Sequence, residues 1–310
     1  MAWLIGMDEA GYGPNLGPFV MTAAALELPD FQCPWQLLAG AVRRYADGDD
    51  DRLVVDDSKT VYTPKHGLGP LEAAVLPFLP PADSLAELWP QQTLTPWEDY
   101  TAEPYAAALP LPTNGELRQT LPGQRARLAA VLQAADARLR LVSVVLFPRA
   151  FNALVLRDDS KAAAPLGAVQ QLLRHLLPSS APAGERIDVT IDRLGGRKHY
   201  QSFLQDVFPD QFAFTEQETN LCSSYRLGQG LTIRFLVGAD QASFAVALAS
   251  MVSKYLRELL MMQFNAFFQR HAPEVPPTAG YPVDAQRWWR ATAEVRSRLR
   301  LPDAWLWRVR

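Results

Sequence analysis

The chain predicts an α/β fold, a mixed sheet flanked by helices and interrupted by a proline-rich insertion. Three observations carry that prediction. Short apolar runs of strand length alternate with longer stretches of helical character. The run IDVTID, residues 187 to 192, alternates apolar and polar residues with period two. A long amphipathic stretch begins at Ser243 and ends before Pro273, Pro276 and Pro277. With 310 residues, 48% of them hydrophobic, the chain can bury a large core as one expanded domain or as two.

In order along the chain, Trp3 to Met7 reads as a first strand and Pro18 to Leu28 as a second, a hairpin-like start around a glycine-rich turn. Residues 35 to 46 read as a helix. LVVDDSKT, 53 to 60, closes on an acidic and basic turn that begins another helix. Pro64 to Pro122 then holds 11 of the 25 prolines without sustained periodicity, and its Trp89 and Trp97 argue against disorder. A helix over 123 to 138 precedes a strand over 139 to 147, and 166 to 177 is helical. Residues 212 to 219 and 231 to 237 read as strands with a turn between them. The long helix follows, capped by Ser243 or Asp240. The implied division is a discontinuous main domain (1 to 60 and 123 to 286), an insertion or subdomain (61 to 122) and a C-terminal segment (287 to 310). That last segment has seven arginines against two acids, +5 beside -8 for the rest, with Trp288, Trp289, Trp305 and Trp307. It either tracks a nucleic-acid backbone or packs its tryptophans on the core.

A net charge of -3 and a pI near 5.9 exclude a diffuse positive field, so nucleic-acid contact requires local patches or metal ions. Cys33 and Cys222 form no metal or redox spacing. The start MAWLIGMDEA is unlike a secretory signal, and no apolar run is long enough to cross a bilayer. A soluble, cytoplasmic chain with no membrane partner is expected.

The chemistry concentrates in GMDEAGYGPNLG, from Gly6 to Gly17. Asp8 and Glu9 end an apolar run, and neighbouring strand side chains point to opposite faces, so the two share a site only if the strand stops or bends between them. Gly11 and Gly13 permit that bend. Two further acids follow strand-like runs, Asp192 after IDVTI and Asp240 after LTIRFLVGA, with Asp188 an alternative to Asp192 on the same face. Strand ends on one edge of a mixed sheet can bring such residues into one crevice, where four carboxylates suit two divalent ions. Each acid also has a structural reading: a turn, a strand end, a helix cap. His66, His175, His199 and His271 have neither zinc-ligand nor triad spacing, although His199 is a candidate for assisting proton transfer.

With these residues in view, the chain resembles the ribonuclease HII (type 2 ribonuclease H) family. GMDEAGYGPNLGPFVMTAAAL is similar to the family's opening DEAGRG segment and its following GP; DSK at Asp57 to Lys59, GADQASFAVALASMVSKYLRE, and Gly280 with Tyr281 match later motifs. The resemblance covers roughly the first 60 residues and 187 to 290 and leaves out the insertion. It implies a ribonuclease H-like fold and two-metal hydrolysis of the RNA strand of RNA/DNA hybrids or of ribonucleotides in duplex DNA. Asp8, Glu9, Asp192 and Asp240 match the catalytic and metal-binding acids, with Mg2+ or Mn2+ as the ions, two in number. Gly11, Tyr12, Gly13, Lys59, Lys254, Arg257 and Tyr281 become candidates for nucleic-acid contact. The chain departs from the family in having Tyr12 where GRG has arginine. Two other functions stay open, a nucleic-acid-binding module of this fold without cleavage and a nuclease with a different nucleic-acid substrate.

Overall fold

A computed structural model describes residues 1–48, 50–63, 65–177 and 185–309. Pro64, within the proline-rich segment, and Arg310, at the end of the basic segment, lie outside these. The strands are β1 (Ala2–Ala10), β2 (Phe19–Leu28), β3 (Val42–Arg43), β4 (Leu53–Val54), β5 (Arg138–Leu146), β6 (Arg186–Asp192), β7 (Ala213–Glu218), β8 (Cys222–Leu227) and β9 (Leu231–Leu236). Seven of them form one sheet in the order β5-β2-β1-β6-β9-β8-β7, and β3 and β4 make a separate parallel pair. β1, β6 and β9 run parallel at the centre, while the flanking pairings are antiparallel. This is the mixed sheet flanked by helices that the sequence predicts.

Each face of the sheet has its own core. Alternation along β2 sends Val20, Ala24, Leu26 and Leu28 to one face and Phe19, Met21, Ala23 and Ala25 to the other. The first face is covered by the long helix Phe244–His271, capped by Ser243, whose hydroxyl accepts from the Val246 N–H at 3.4 Å. Gly6 lets that helix lie directly on β1, since a Cβ there would come within 2.2 Å of the Ala245 carbonyl carbon and the Val246 nitrogen. The second face is covered by the helices Pro148–Asp158, Ala163–Leu176 and Gln201–Val207.

The proline-rich segment packs into the core under the long helix, burying Trp89, Tyr100, Tyr105 and Leu111. Two polar clasps hold it. Buried Glu72 accepts from the Thr113 N–H, the Thr113 hydroxyl, the Asn114 N–H and the Tyr255 hydroxyl, all within 2.7–2.9 Å. The Gln263 amide donates to the Ala107 carbonyl at 2.6 Å and to the Tyr100 hydroxyl at 2.7 Å. The C-terminal tryptophans also pack: Trp288 is buried, and Trp289, Trp305 and Trp307 lie against the same core. Of the two readings of that segment, the rings take the packed one.

Three expectations for local structure are corrected. Residues 35 to 46 are not one helix: the short helix Pro34–Leu37 gives way to β3, and a 3-10 turn follows at Tyr45–Asp47. The helix over 123 to 138 is Leu117–Ala134, which begins earlier and contains Pro122. Between the two strands expected near 212 to 237 lies a third, β8, not a simple turn. Among the described residues no helix is long and apolar enough to cross a membrane.

Candidate metal and nucleic-acid site

The glycine turn does not begin between the two acids. β1 stays paired with β2 through Asp8↔Thr22, Glu9↔Met21 and Ala10↔Val20, and the first left-handed residue of the turn is Gly11, at φ 91°. The bend expected between Asp8 and Glu9 is therefore absent, because ladder pairing keeps both residues extended. A different device brings their carboxyls together. Asp8 Oδ1 folds along the strand and accepts the Glu9 N–H at 2.7 Å. The Asp8 carbonyl takes the Ser253 hydroxyl of the long helix at 2.9 Å, which fixes the strand end against that helix.

Asp192 ends β6, one step beyond the Met7↔Ile191 pair, and so stands beside the Asp8 level of β1. It accepts the Ala239 N–H at 2.9 Å. That donor belongs to the short helix Ala239–Ala242, which follows β9 through Gly238 at φ 66° and carries Asp240. The ends of the three central parallel strands thus deliver Asp8, Glu9, Asp192 and Asp240 to one edge of the sheet. Asp57 joins them from the N-cap of the helix Ser58–Val61, where it accepts the Lys59 N–H at 2.9 Å.

The acids repel one another, and little positive charge answers them. Burial, then the charges of Glu9 and Asp192, push the Asp8 carboxyl well above the usual carboxylate range. Burial and the Asp192 charge push Glu9 up to about 7. Asp192 is raised by burial, against the pull of the Ala239 N–H and of Lys59. Asp240 is raised by burial and by the charges of Asp57 and Asp192. Lys59 is the cation that moderates Glu9, Asp192 and Asp240. Glu9 Oε2 is buried without a hydrogen-bond partner among the described residues.

Hard carboxylate oxygens, one of them orphaned, in a field short of positive charge are chemically suited to a hard divalent cation. The expected four-carboxylate cage is not closed: among the described residues, no three His, Cys, Asp or Glu side chains are placed to hold one ion between them. The carboxyls share an edge and an electrostatic field rather than a finished coordination sphere.

A cleft of about 420 Å³ opens beside them. Its walls include Glu9, Gly11, Lys59, Lys254, Arg257 and Tyr281, six of the eleven residues singled out from the sequence, together with Tyr62 and Glu258. Tyr281 is half exposed on its rim. Lys254 is engaged, 2.8 Å from Glu258 and 4.6 Å from the centre of the Tyr62 ring. Arg257 is 2% exposed and donates to the Ala279 carbonyl at 3.0 Å, so it props the turn from behind. Its Nε would sit 2.6 Å from a Cβ on Gly11, and glycine is required there twice over, by backbone angle and by space. Gly13 is open, with the Tyr281 ring 3.9 Å from where its Cβ would be.

Tyr12 is not in the cleft. Its ring packs edge-on against Phe19, 6.4 Å between centroids, with the Lys161 ammonium 5.1 Å from the ring centre. Asp188 is held by Arg234 at 2.6 Å, towards the other end of β6, and His199 pairs with Glu218 rather than with any of the four acids. Sequence reasoning passed over Asp57 as an acid of this edge and missed Tyr62 and Glu258. Asp57 stood within the quoted DSK; Tyr62 and Glu258 had no motif of their own.

No protein-family model and no curated protein matches this chain. Solved structures similar in fold include a chain of the PCNA:RNase HII complex from Archaeoglobus fulgidus, 14% identical, covering 99% of this chain and 94% of that one at a TM-score of 0.44. Ribonuclease H2 from Pyrococcus horikoshii is 14% identical, covering 98% and 92%, also at 0.44. A mutant form of Bst-RNase HIII is 18% identical, covering 94% of this chain and 63% of that one at 0.43.

Proposed function

We propose that the protein is a metal-dependent endoribonuclease that hydrolyses the RNA strand of RNA/DNA hybrids, or ribonucleotides within duplex DNA. The observation that carries this reading is the gathering of Asp8, Glu9, Asp192 and Asp240 at one sheet edge, answered by little positive charge, beside a cleft walled by Glu9, Lys59 and Tyr281. A protein that only bound a polyanion would gain nothing from clustered carboxylates that repel phosphate. The motif resemblance to ribonuclease HII agrees with the same four positions.

Those four carboxylates would hold Mg2+ or Mn2+, two ions in the proposal. Bound there, the metal would supply an activated water and charge stabilisation for the leaving oxygen, and hydrolysis would leave a 5' phosphate and a 3' hydroxyl. The chain's own residues do the rest. Backbone N–H groups at Gly11 and Gly13 are offered to a ribose 2' hydroxyl, the group that separates RNA from DNA. Lys59 and Lys254 serve the phosphate backbone, and Tyr281 offers an exposed ring face on the rim. Arg257 acts through the turn it supports rather than by direct contact. Tyr12, packed on Phe19, takes no part in stacking on the substrate.

The test is cleavage of a duplex carrying one embedded ribonucleotide and of a full RNA/DNA hybrid, with all-DNA and single-stranded controls, in magnesium or manganese. Cleavage that requires metal and Asp8 is expected; none from any ribonucleotide-containing duplex would sink the proposal. One observation favours binding without cleavage, the open arrangement of the carboxyls. That reading requires the duplex to be bound tightly and left intact in the same panel.

A further inference from the structure

We propose that the C-terminal segment Trp307–Val309 is a strap that sets the position of the glycine turn on the cleft rim, with Arg308 as its positioning residue. For its effect on substrate, this rests on the function proposed above. The turn from Gly11 to Gly17 lies between β1 and β2, and its outer half is held by two segments remote in sequence. On one side, the Asn15 and Leu16 N–H groups both donate to the Gly280 carbonyl, at 2.7 and 3.3 Å. On the other, Leu16 pairs with Trp307 in an antiparallel bridge, and the Arg308 N–H donates to the Asn15 carbonyl at 2.8 Å. The Arg308 guanidinium donates to the Pro14 carbonyl, and the Asn15 amide returns a bond to the Arg308 carbonyl at 3.4 Å. The strap is anchored in turn: Asn152, in the helix Pro148–Asp158, donates to the Trp307 carbonyl at 2.8 Å and accepts the Val309 N–H at 2.9 Å.

Packing alone does not account for an arginine at 308. The side chain is 1% exposed, and its Nε and Nη1 have no hydrogen-bond partner among the described residues. The guanidinium lies 4.7 Å over the Phe151 ring and feels the repulsion of Arg257. A buried cation carries a desolvation cost, and a methionine would fill the volume without it. What methionine lacks is a donor for the Pro14 carbonyl. With the strap in place, the turn is wedged among Arg257 behind Gly11, the Gly280 carbonyl and Arg308. Asp8, Glu9 and Asp192 sit on β1 and β6, which are held by ladder pairing, so loosening the strap frees the turn and leaves them in place.

The experiment compares the full chain with Arg308→Met and Arg308→Lys by amide hydrogen exchange and, in parallel, by steady-state cleavage of a duplex with one ribonucleotide. Arg308→Met is expected to speed exchange over residues 11–17 by about tenfold while β1 and the long helix keep theirs. KM is expected to rise about five- to tenfold with kcat within about twofold, and lysine, which still donates, to restore most of both. Unchanged exchange over 11–17 overturns the proposal, and so does an equal rise across β1 and the long helix. If Arg308→Met does not fold, Asn15→Ala removes one bond of the strap and is expected to raise exchange over 14–17 by about threefold; no rise there also overturns it. Should the chain cleave nothing, exchange still decides the strap, so the two readings fail separately.

Discussion

Asp188 and Asp192 share one strand and one face, yet they occupy opposite electrostatic situations. At the start of β6, Asp188 is paired to Arg234 at 2.6 Å. About 13 Å further on, by strand rise, Asp192 has no arginine or lysine in salt-bridge contact among the described residues and is raised by burial. Register makes the difference: β9 sets Arg234 opposite Thr190, within reach of Asp188, but sets Leu236 opposite Asp192. On the other side, β1 brings up Asp8. A period-two pattern marks both acids, and only the neighbouring strands decide which is neutralised and which is left without an arginine partner.

The largest expected effect tests that contrast directly. Asp8→Asn and Asp192→Asn should each lower metal-dependent cleavage by about a thousandfold or more, while Asp188→Asn should leave it within about twofold. A cleavage assay in which Asp188→Asn is the damaging change would reverse the assignment. Next is pH. The Glu9 carboxyl titrates near 4.5 when unfolded and about 7 when folded, so folding favours its protonated form. Its stabilising contribution is complete below pH 4.5 and is lost as pH rises through 7, on the order of 3 kcal/mol for this group. Urea unfolding in chelator should show stability declining between pH 5 and 8, with magnesium opposing the decline; a curve that rises over this range would count against an uncompensated edge.

Gly6→Ala addresses the helix that backs the site. A Cβ at 2.2 Å from helix backbone cannot be relieved by a rotamer change, so a loss of about 2 to 3 kcal/mol is expected in thermal or urea unfolding. Lys59→Ala removes the cation that moderates three of the acids and should weaken duplex binding about fivefold, with a shallower salt dependence. The smallest effect is expected from Tyr12→Phe, within about 0.5 kcal/mol in stability and with little change in cleavage, because the ring packs and does not line the cleft. A large loss of substrate affinity there would return Tyr12 to the recognition surface.

Much of the sheet was legible because its strands carry strong patterns. IDVTID alternates as β6 does, and the apolar run from Phe19 to Leu28 is β2, buried on both faces. β8 escaped notice because it opens on Cys222, Ser223 and Ser224, which look like a turn. In the fold their hydroxyls donate to the Lys198 carbonyl and to Glu216, partners that no local pattern reveals. Residues 35 to 46 have helical composition, but the chain there leaves the helix at Leu38 and extends to pair with β4. Glu258 could not be ranked as a cleft residue from sequence, since its role comes from Lys254, Arg257 and Tyr62 converging on it.

By itself the sequence determined the α/β character, the long helix, the two acids at the end of β1 and the glycine turn after them. These follow from short-range rules: alternation, helical periodicity, and the backbone freedom of glycine. Tertiary structure alone decided that β1 runs unbent through Asp8 and Glu9, that Asp192 rather than Asp188 joins them, that Arg257 and Tyr12 are packed rather than presented, and that Trp307 and Arg308 pair with the glycine turn. The physical reason is that charge compensation and burial depend on which strands and helices become neighbours, and that pairing is settled by long-range register rather than by local sequence.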